Sequence, residues 1–252
     1  MSLLRSTVLA AALLNSGCAP RPAELRIAAA ADLRFALDDV IRNYSREHSG
    51  INITPVYGSS GLFYAQLTNH APFDMFLSAD VQYPHKLAQQ GLLLPASEFD
   101  YAVGRLVLWT RDGSGVDVAR GMEALRQPAL KHIAIANPEH APYGRAAEAA
   151  LHSLGLYEEV KGKLVMGENI SQAFQLVQSG AAGVGMVALS LAMAPGVSGH
   201  YWPVPATAYP RLEQGGAILK WSAHPAAAWE FRAYLLAPEG RAILKRYGFA
   251  GD

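Results

Sequence analysis

Two rhythms alternate along this chain: short β-like apolar runs, then stretches with an apolar residue at every third or fourth position. Residues 25–29 read as a strand and 33–48 as a helix, with Leu33, Leu37, Val40, Ile41 and Tyr44 on one face. Residues 51–57 predict a second strand, and 62–69 a second helix with Ser60 at its start. A short strand over 74–78 precedes a helix over 83–90 that stops at Gly91. Residues 101–110 are a long β-rich run suited to crossing between lobes. A strand over 132–136 and a helix over 145–154, ended by Gly155, come next. They are followed by a helix over 171–178, a strand over 183–187 and a helix over 188–193. Strands over 201–204 and 217–219 and helices over 226–236 and 238–247 finish the chain. Such βα repetition argues for an α/β fold with mostly parallel sheets.

The first residues belong to targeting. Met1 to Arg5 form a short basic start, and residues 6–14 are an apolar run of signal-peptide length, too short to span a bilayer. Asn15-Ser16-Gly17 then leads to Cys18, the only cysteine. This resembles a lipoprotein cleavage box in which Cys18 becomes the lipidated first residue, although Asn15 stands where an aliphatic residue is usual. An ordinary cleaved signal over residues 1–23 reads equally well. Either way the protein is exported.

About 230 residues remain, long for one core and suited to two lobes. Lys and Arg total 21 and Asp and Glu total 21 in the 252-residue chain, so no charge excess favours nucleic acid. With Cys18 in the leader, the body has no thiol for a disulfide, a nucleophile or a zinc site. His132, His140, His200 and His224 are scattered without metal-ligand spacing, so no metal and no cofactor is expected.

Three polar turns carry the chemistry: Ala31-Asp32-Leu33, Gly58-Ser59-Ser60-Gly61 and Ala141-Pro142-Tyr143-Gly144. Each follows a β-like run and opens a helix, where unpaired backbone N–H groups and the macrodipole favour an anion. Ser60 suits a helix cap and equally a hydroxyl donor to a ligand oxygen. Tyr143 combines a donor with a rigid apolar body. Together with the neutral charge balance, the turns point to a small oxyanion held by neutral dipoles.

The chain resembles the periplasmic molybdate-binding proteins, receptors of molybdate ABC importers, over nearly its whole mature length. The likeness is carried by residues 27–33 (IAAAADL), by Gly58-Ser59-Ser60-Gly61 with Tyr64-Ala65-Gln66, and by Ala71-Pro72-Phe73-Asp74 leading to Ser78-Ala79-Asp80. Residues 101–109 (YAVGRLVLW) and 133–144 (IAIANPEHAPYG), Gly167-Glu168-Asn169 and the ending Tyr247-Gly248-Phe249 continue it. The resemblance implies a two-lobed periplasmic binding protein fold: residues 24–103 with 205–252 as one lobe, 104–204 as the other, and a tetrahedral dianion between them. It implies molybdate as ligand with tungstate as a mimic, a membrane permease with its ATPase as partners, a monomer, and no enzymatic activity. Ala31, Asp32, Ser60, Tyr143 and the backbone of Ile170 match the family's anion-contacting positions. Selection against the smaller sulfate would rest on cavity size.

Asp32 departs from the pattern, standing where the family carries Ser or Asn. A carboxylate about 4 Å from a dianion at an effective dielectric near 20 meets roughly 8 kcal/mol of repulsion. Three resolutions are open. Asp32 caps the N–H groups of Arg34 or Phe35, or it is protonated, or the ligand brings a proton that Asp32 accepts. The last keeps a phosphate-like or phosphonate-like anion, or an organic anion, as an alternative ligand. A periplasmic hydrolase on the same scaffold is a more distant alternative, because no activated nucleophile or acid–base pair stands near the turns.

Overall fold

The computed structural model describes residues 23–48 and 50–251; the leader, with Cys18, lies outside the described residues except for Ala23, which begins the first strand. Two five-stranded mixed sheets organise the chain. The first contains β1 (Ala23–Ala30), β2 (Ile51–Gly58), β3 (Met75–Ser78), β4 (Phe99–Gly104) and β10 (Leu212–Ile218), in the order β2-β1-β3-β10-β4. The second contains β5 (Leu106–Arg111), β6 (Ile133–Ala136), β7 (Leu164–Gly167), β8 (Val184–Ala188) and β9 (Gly199–Pro203), in the order β7-β6-β8-β5-β9.

The two sheets share one plan. A central strand, β1 or β6, pairs in parallel with both neighbours, and an antiparallel strand, β10 or β5, is inserted toward the far edge. The parallel halves follow from helical connections, which return the chain to the same end of the sheet. The antiparallel strands arise where the chain changes sheet. Only Arg105 separates β4 in the first sheet from β5 in the second, and β10 returns to the first sheet after β9. The sequence predicts a strand there only over 217–219, whereas β10 begins at Leu212, because Glu213 and the Gly215-Gly216 pair hide the run from a hydrophobicity reading.

Helices cover the sheets as their apolar spacing requires. α1 (Arg34–Glu47) buries Ala36, Leu37, Val40 and Tyr44, an i, i+1, i+4, i+8 stripe. It packs with β1 and with α8 (Pro225–Leu236) and α9 (Pro238–Arg246), where Tyr44 meets Phe231 edge-on at 5.3 Å. In the second sheet Trp109 is buried against Phe174 of α6 (Ile170–Gln178), ring centroids 4.5 Å apart. Each fully buried side chain of this size contributes roughly 1.5–3 kcal/mol.

The remaining helices include α2 (Ser60–Leu67), α3 (Gln82–Gln89), α4 (Pro142–Ser153), α5 (Tyr157–Val160) and α7 (Leu189–Ala192). Helices α2, α4 and α6 start where β2, β6 and β7 end, on the carboxyl side of the parallel strands where ligands of such sheets bind. The sheets meet there closely. A Cβ at Gly61 would stand 2.6 Å from the His140 carbonyl oxygen, so only glycine fits at that contact.

Candidate functional site

Where the two sheets face each other, Ala31, Asp32, Ser60, Tyr143 and Ile170 come together around one small cavity. Ala30, Ser59, Ala79, Ala141, Pro142 and Asn169 complete its wall. It is small, with room for one compact group and not for a peptide or a sugar. The sequence brings these residues from separate turns up to 139 positions apart, and the fold gathers all five.

Each turn is held by its own bonds. Ser60 opens α2 and is buried, and its Oγ accepts the N–H of Ala79 at 3.0 Å. That bond leaves the Ser60 hydrogen free to donate elsewhere. The expected cap role does not belong to Ser60: Ser59 occupies the cap position, and its hydroxyl donates across the lobes to the His140 carbonyl at 2.5 Å. At α6, Asn169 caps the helix by accepting the N–H of Gln172 at 3.1 Å. The first-turn N–H groups of Ser60, Tyr143 and Ile170 have no acceptor within their own helices, which leaves donors at the cavity.

The lobes are closed around this point. Ser171 of α6 donates to the Ala31 carbonyl at 2.8 Å, and Ser190 of α7 donates to the Asp32 carbonyl at 2.7 Å. Gly61 N–H reaches the His140 carbonyl at 2.9 Å. At the rim, Arg145 of α4 pairs with Asp80 at 2.7 Å and donates to the Tyr83 hydroxyl at 3.1 Å. None of the serines 171 and 190 was singled out from sequence, since a serine in an apolar helix start carries no motif.

Asp32 does not cap Arg34 or Phe35. The single 3-10 turn Ala31–Leu33 and α1 after it carry no side-chain cap, because the carboxyl group turns inward instead. Gln214 Nε2 donates to its Oδ2 at 2.5 Å, while Oδ1 is buried with no hydrogen-bond partner. Burial drives the Asp32 pKa up to about 6, and the Gln214 amide and the Tyr143 hydroxyl pull it back only in part. The Tyr143 hydroxyl stands 3.4 Å from Gln214 Nε2, and the Tyr101 hydroxyl lies 2.9 Å from both Gln214 Oε1 and the Ser78 carbonyl. Burial and the Asp32 charge hold both phenols well above their ordinary range, so they are neutral donors. Gln214 is thus the hub of the polar network, and sequence reasoning missed it: it lies in β10, far along the chain from every turn.

Asp74 serves the frame. Its carboxylate accepts the Arg26 N–H at 2.8 Å, the Ser222 hydroxyl at 2.8 Å and the Ala223 N–H at 2.9 Å, tying β1 to the segment after β10.

The chain has close relatives among known proteins. A family model described as bacterial extracellular solute-binding protein matches residues 25–250. The molybdate-binding protein ModA of Rhodobacter capsulatus is 41% identical over 206 residues, 82% of this chain and 80% of that protein. ModA of Azotobacter vinelandii is 39% identical over 234 residues, 92% of each. The solved periplasmic molybdate-binding protein of Azotobacter vinelandii superposes with a TM-score of 0.84 at 35% identity, over 90% of this chain and 99% of that one. Fold and sequence agree over almost the whole described chain, which belongs to the bacterial extracellular solute-binding protein family, beside the molybdate-binding proteins it matches.

Proposed function

We propose that this protein captures molybdate, with tungstate as a mimic, outside the cytoplasm and delivers it to the permease of an ABC importer driven by its ATPase. The observation that carries the reading is the closed cavity itself, formed where α2 from one sheet and α4 and α6 from the other begin, with the free hydroxyl hydrogen of Ser60 on its wall. Backbone N–H groups and neutral hydroxyls suit a compact oxyanion that must be released again, since they avoid the deep attraction of a desolvated Lys or Arg. The identity of 41% and 39% to proteins named for molybdate supports that anion over others.

Closure is the second half of the function. The interlobe bonds of Ser171, Ser190, Ser59 and Arg145 favour one closed arrangement, and a ligand that bridges both lobes adds to them, so binding shifts the population toward closure. A closed shape distinct from the empty one is what a permease would read. The protein works without chemical turnover, as a monomer in the periplasm, and Cys18 offers a lipid anchor.

Calorimetric titration of the exported chain with molybdate, tungstate, sulfate and phosphate tests this. Tight binding of the first two with sulfate silent is expected. Binding of sulfate or phosphate with molybdate silent would refute it. Mass spectrometry of the exported protein decides the anchor, since lipidation leaves Cys18 as the first residue.

A further inference from the structure

A buried carboxyl group with an unpaired oxygen on the wall of an anion cavity needs an explanation. Asp32 lines the cavity, is 1% exposed, and has Oδ1 without a partner. Its surroundings are neutral on every side. From β10 it meets the Gln214 amide, from α4 the Tyr143 hydroxyl, and behind them from β4 the Tyr101 hydroxyl. Ser190 of α7 and Ser171 of α6 spend their hydrogens on the Asp32 and Ala31 carbonyls, and Ser60 of α2 presents a hydroxyl. Tyr209 is the next phenol beyond Tyr143, and its hydroxyl accepts the Leu106 N–H at 3.1 Å. Arg34, the nearest cation in sequence, lies over the Phe35 ring at 6.0 Å. His140 turns its ring to the Glu168 carbonyl at 2.9 Å, with the Glu168 carboxylate at 3.7 Å.

An ionised Asp32 would therefore face a dianion across a small cavity on whose wall, among the described residues, no cation stands to compensate either charge. A proton on Oδ1 removes the repulsion and supplies a hydrogen-bond donor at the atom that otherwise has no partner. We propose that Asp32 is protonated at Oδ1 in the ligand-bound state and donates to an oxygen of the anion, so that capture of one molybdate dianion takes up one proton from solvent. The balance is simple: an aspartate carboxylate, one proton from the buffer and the dianion give a complex in which no covalent bond other than O–H has formed. Asp32 is then the residue that sets the charge state the site accepts. This inference rests on the molybdate reading and refines it.

The consequence is a linkage between affinity and pH. Where the unliganded protein carries Asp32 ionised, uptake of one proton makes Kd rise tenfold for each pH unit; where Asp32 is already protonated, Kd is flat. The ordinary serine or asparagine arrangement carries no such slope.

Calorimetry of the exported chain with molybdate from about pH 5 to about pH 8, in buffers of different ionisation heats, reads the proton count directly. The expected result is uptake approaching one proton per ion above about pH 7, with Kd rising tenfold per unit. In Asp32→Asn, which keeps the shape and an acceptor for Gln214, uptake vanishes and Kd no longer follows pH. Asp32→Ser gives the same readout if the asparagine variant folds poorly. Molybdate binding by the wild type without proton uptake overturns the proposal, whatever the variants do. Uptake that persists in both variants also overturns it and assigns the proton elsewhere. Failure to bind molybdate at any pH is a separate outcome: it overturns the function proposed above, and this inference falls with it.

Discussion

Ser60→Ala separates two roles that one hydroxyl plays. Its Oγ accepts the buried N–H of Ala79 whether or not a ligand is present, and its hydrogen is free for the ligand. Removing the acceptor leaves a buried N–H unpaired, which costs about 1–3 kcal/mol of folding stability. For a chain of this size that lowers Tm by roughly 2–12 °C in the absence of ligand. Removing the donor takes away a hydrogen bond to a charged oxygen, about 1.5–3 kcal/mol, present only in the complex. Affinity for molybdate should then fall about 13- to 160-fold. Thermal denaturation of the empty protein reads the first loss, and calorimetric titration reads the second. A variant with lowered Tm but unchanged affinity would show that Ser60 is only a structural tie. The site would then have to be held by backbone groups alone.

Four further predictions follow from the same contacts. Ser190→Ala removes the interlobe donor to the Asp32 carbonyl and should weaken binding by about 1–3 kcal/mol, checked by titration; equal affinity would mean that this contact does not contribute to closure. Arg145→Ala breaks the pair with Asp80, whose side chains are 39% and 26% exposed; the loss should stay within about 1 kcal/mol and shrink in high salt, read as affinity at two ionic strengths. A Cβ at Gly104 would collide with the Tyr143 hydroxyl and crowd Gln214 Nε2, so Gly104→Ala should oppose the closed form by about 1–3 kcal/mol, visible as weaker binding with the fold intact by circular dichroism. Asp32 makes the closed form pH-sensitive without ligand. Its folded pKa of about 6 lies above the ordinary aspartate value of 3.8, so the protonated group stabilises below that lower value and the contribution is lost as pH rises through about 6. The span is worth about 3 kcal/mol, and subtracting the Tm-against-pH curve of Asp32→Asn from that of the wild type should show it.

Much of the site was readable because its parts are local. A β-like run, a small polar turn and an amphipathic stretch fix a strand, a helix start and the N–H groups between them, which is how Ser60 and Tyr143 could be named without a structure, whereas Ile170 was named only through the family resemblance. Their arrival at one cavity follows from the carboxyl-end rule for parallel strands, a rule of topology that acts on local elements. What stayed hidden is long-range. Gln214 sits on β10, whose Glu213 and paired glycines obscure its strand character, and nothing local marks it as the partner of Asp32 across 182 positions. Ser171 and Ser190 look like any helix-start serines until the first lobe supplies the carbonyls they meet. The fate of Asp32 depended on these same partners. A cap on the following N–H groups was one reading open to sequence, and an inward amide donor 182 positions along the chain, on β10 of the same sheet, turns the carboxyl from that bond.

The closed cavity combines two electrostatic devices that act in opposite directions. Helix starts and hydroxyls provide partial positive charge that is fixed in place and costs little to arrange when the anion arrives. Because these dipoles belong to both lobes, the anion completes a circuit that the interlobe bonds of Ser171 and Ser190 only begin, and closure gains its driving force from the ligand. Asp32 works against this when ionised, since it places a full negative charge where the dipoles are meant to receive one. A neighbouring cation would relieve it, yet would also bind any anion deeply and slow release. The neutral surroundings leave the proton as the inexpensive counter-charge, and it is supplied and withdrawn by solvent as the lobes open and close. An empty, open site at neutral pH then carries an ionised Asp32 that resists closing on nothing, while an oxyanion and a proton together close it.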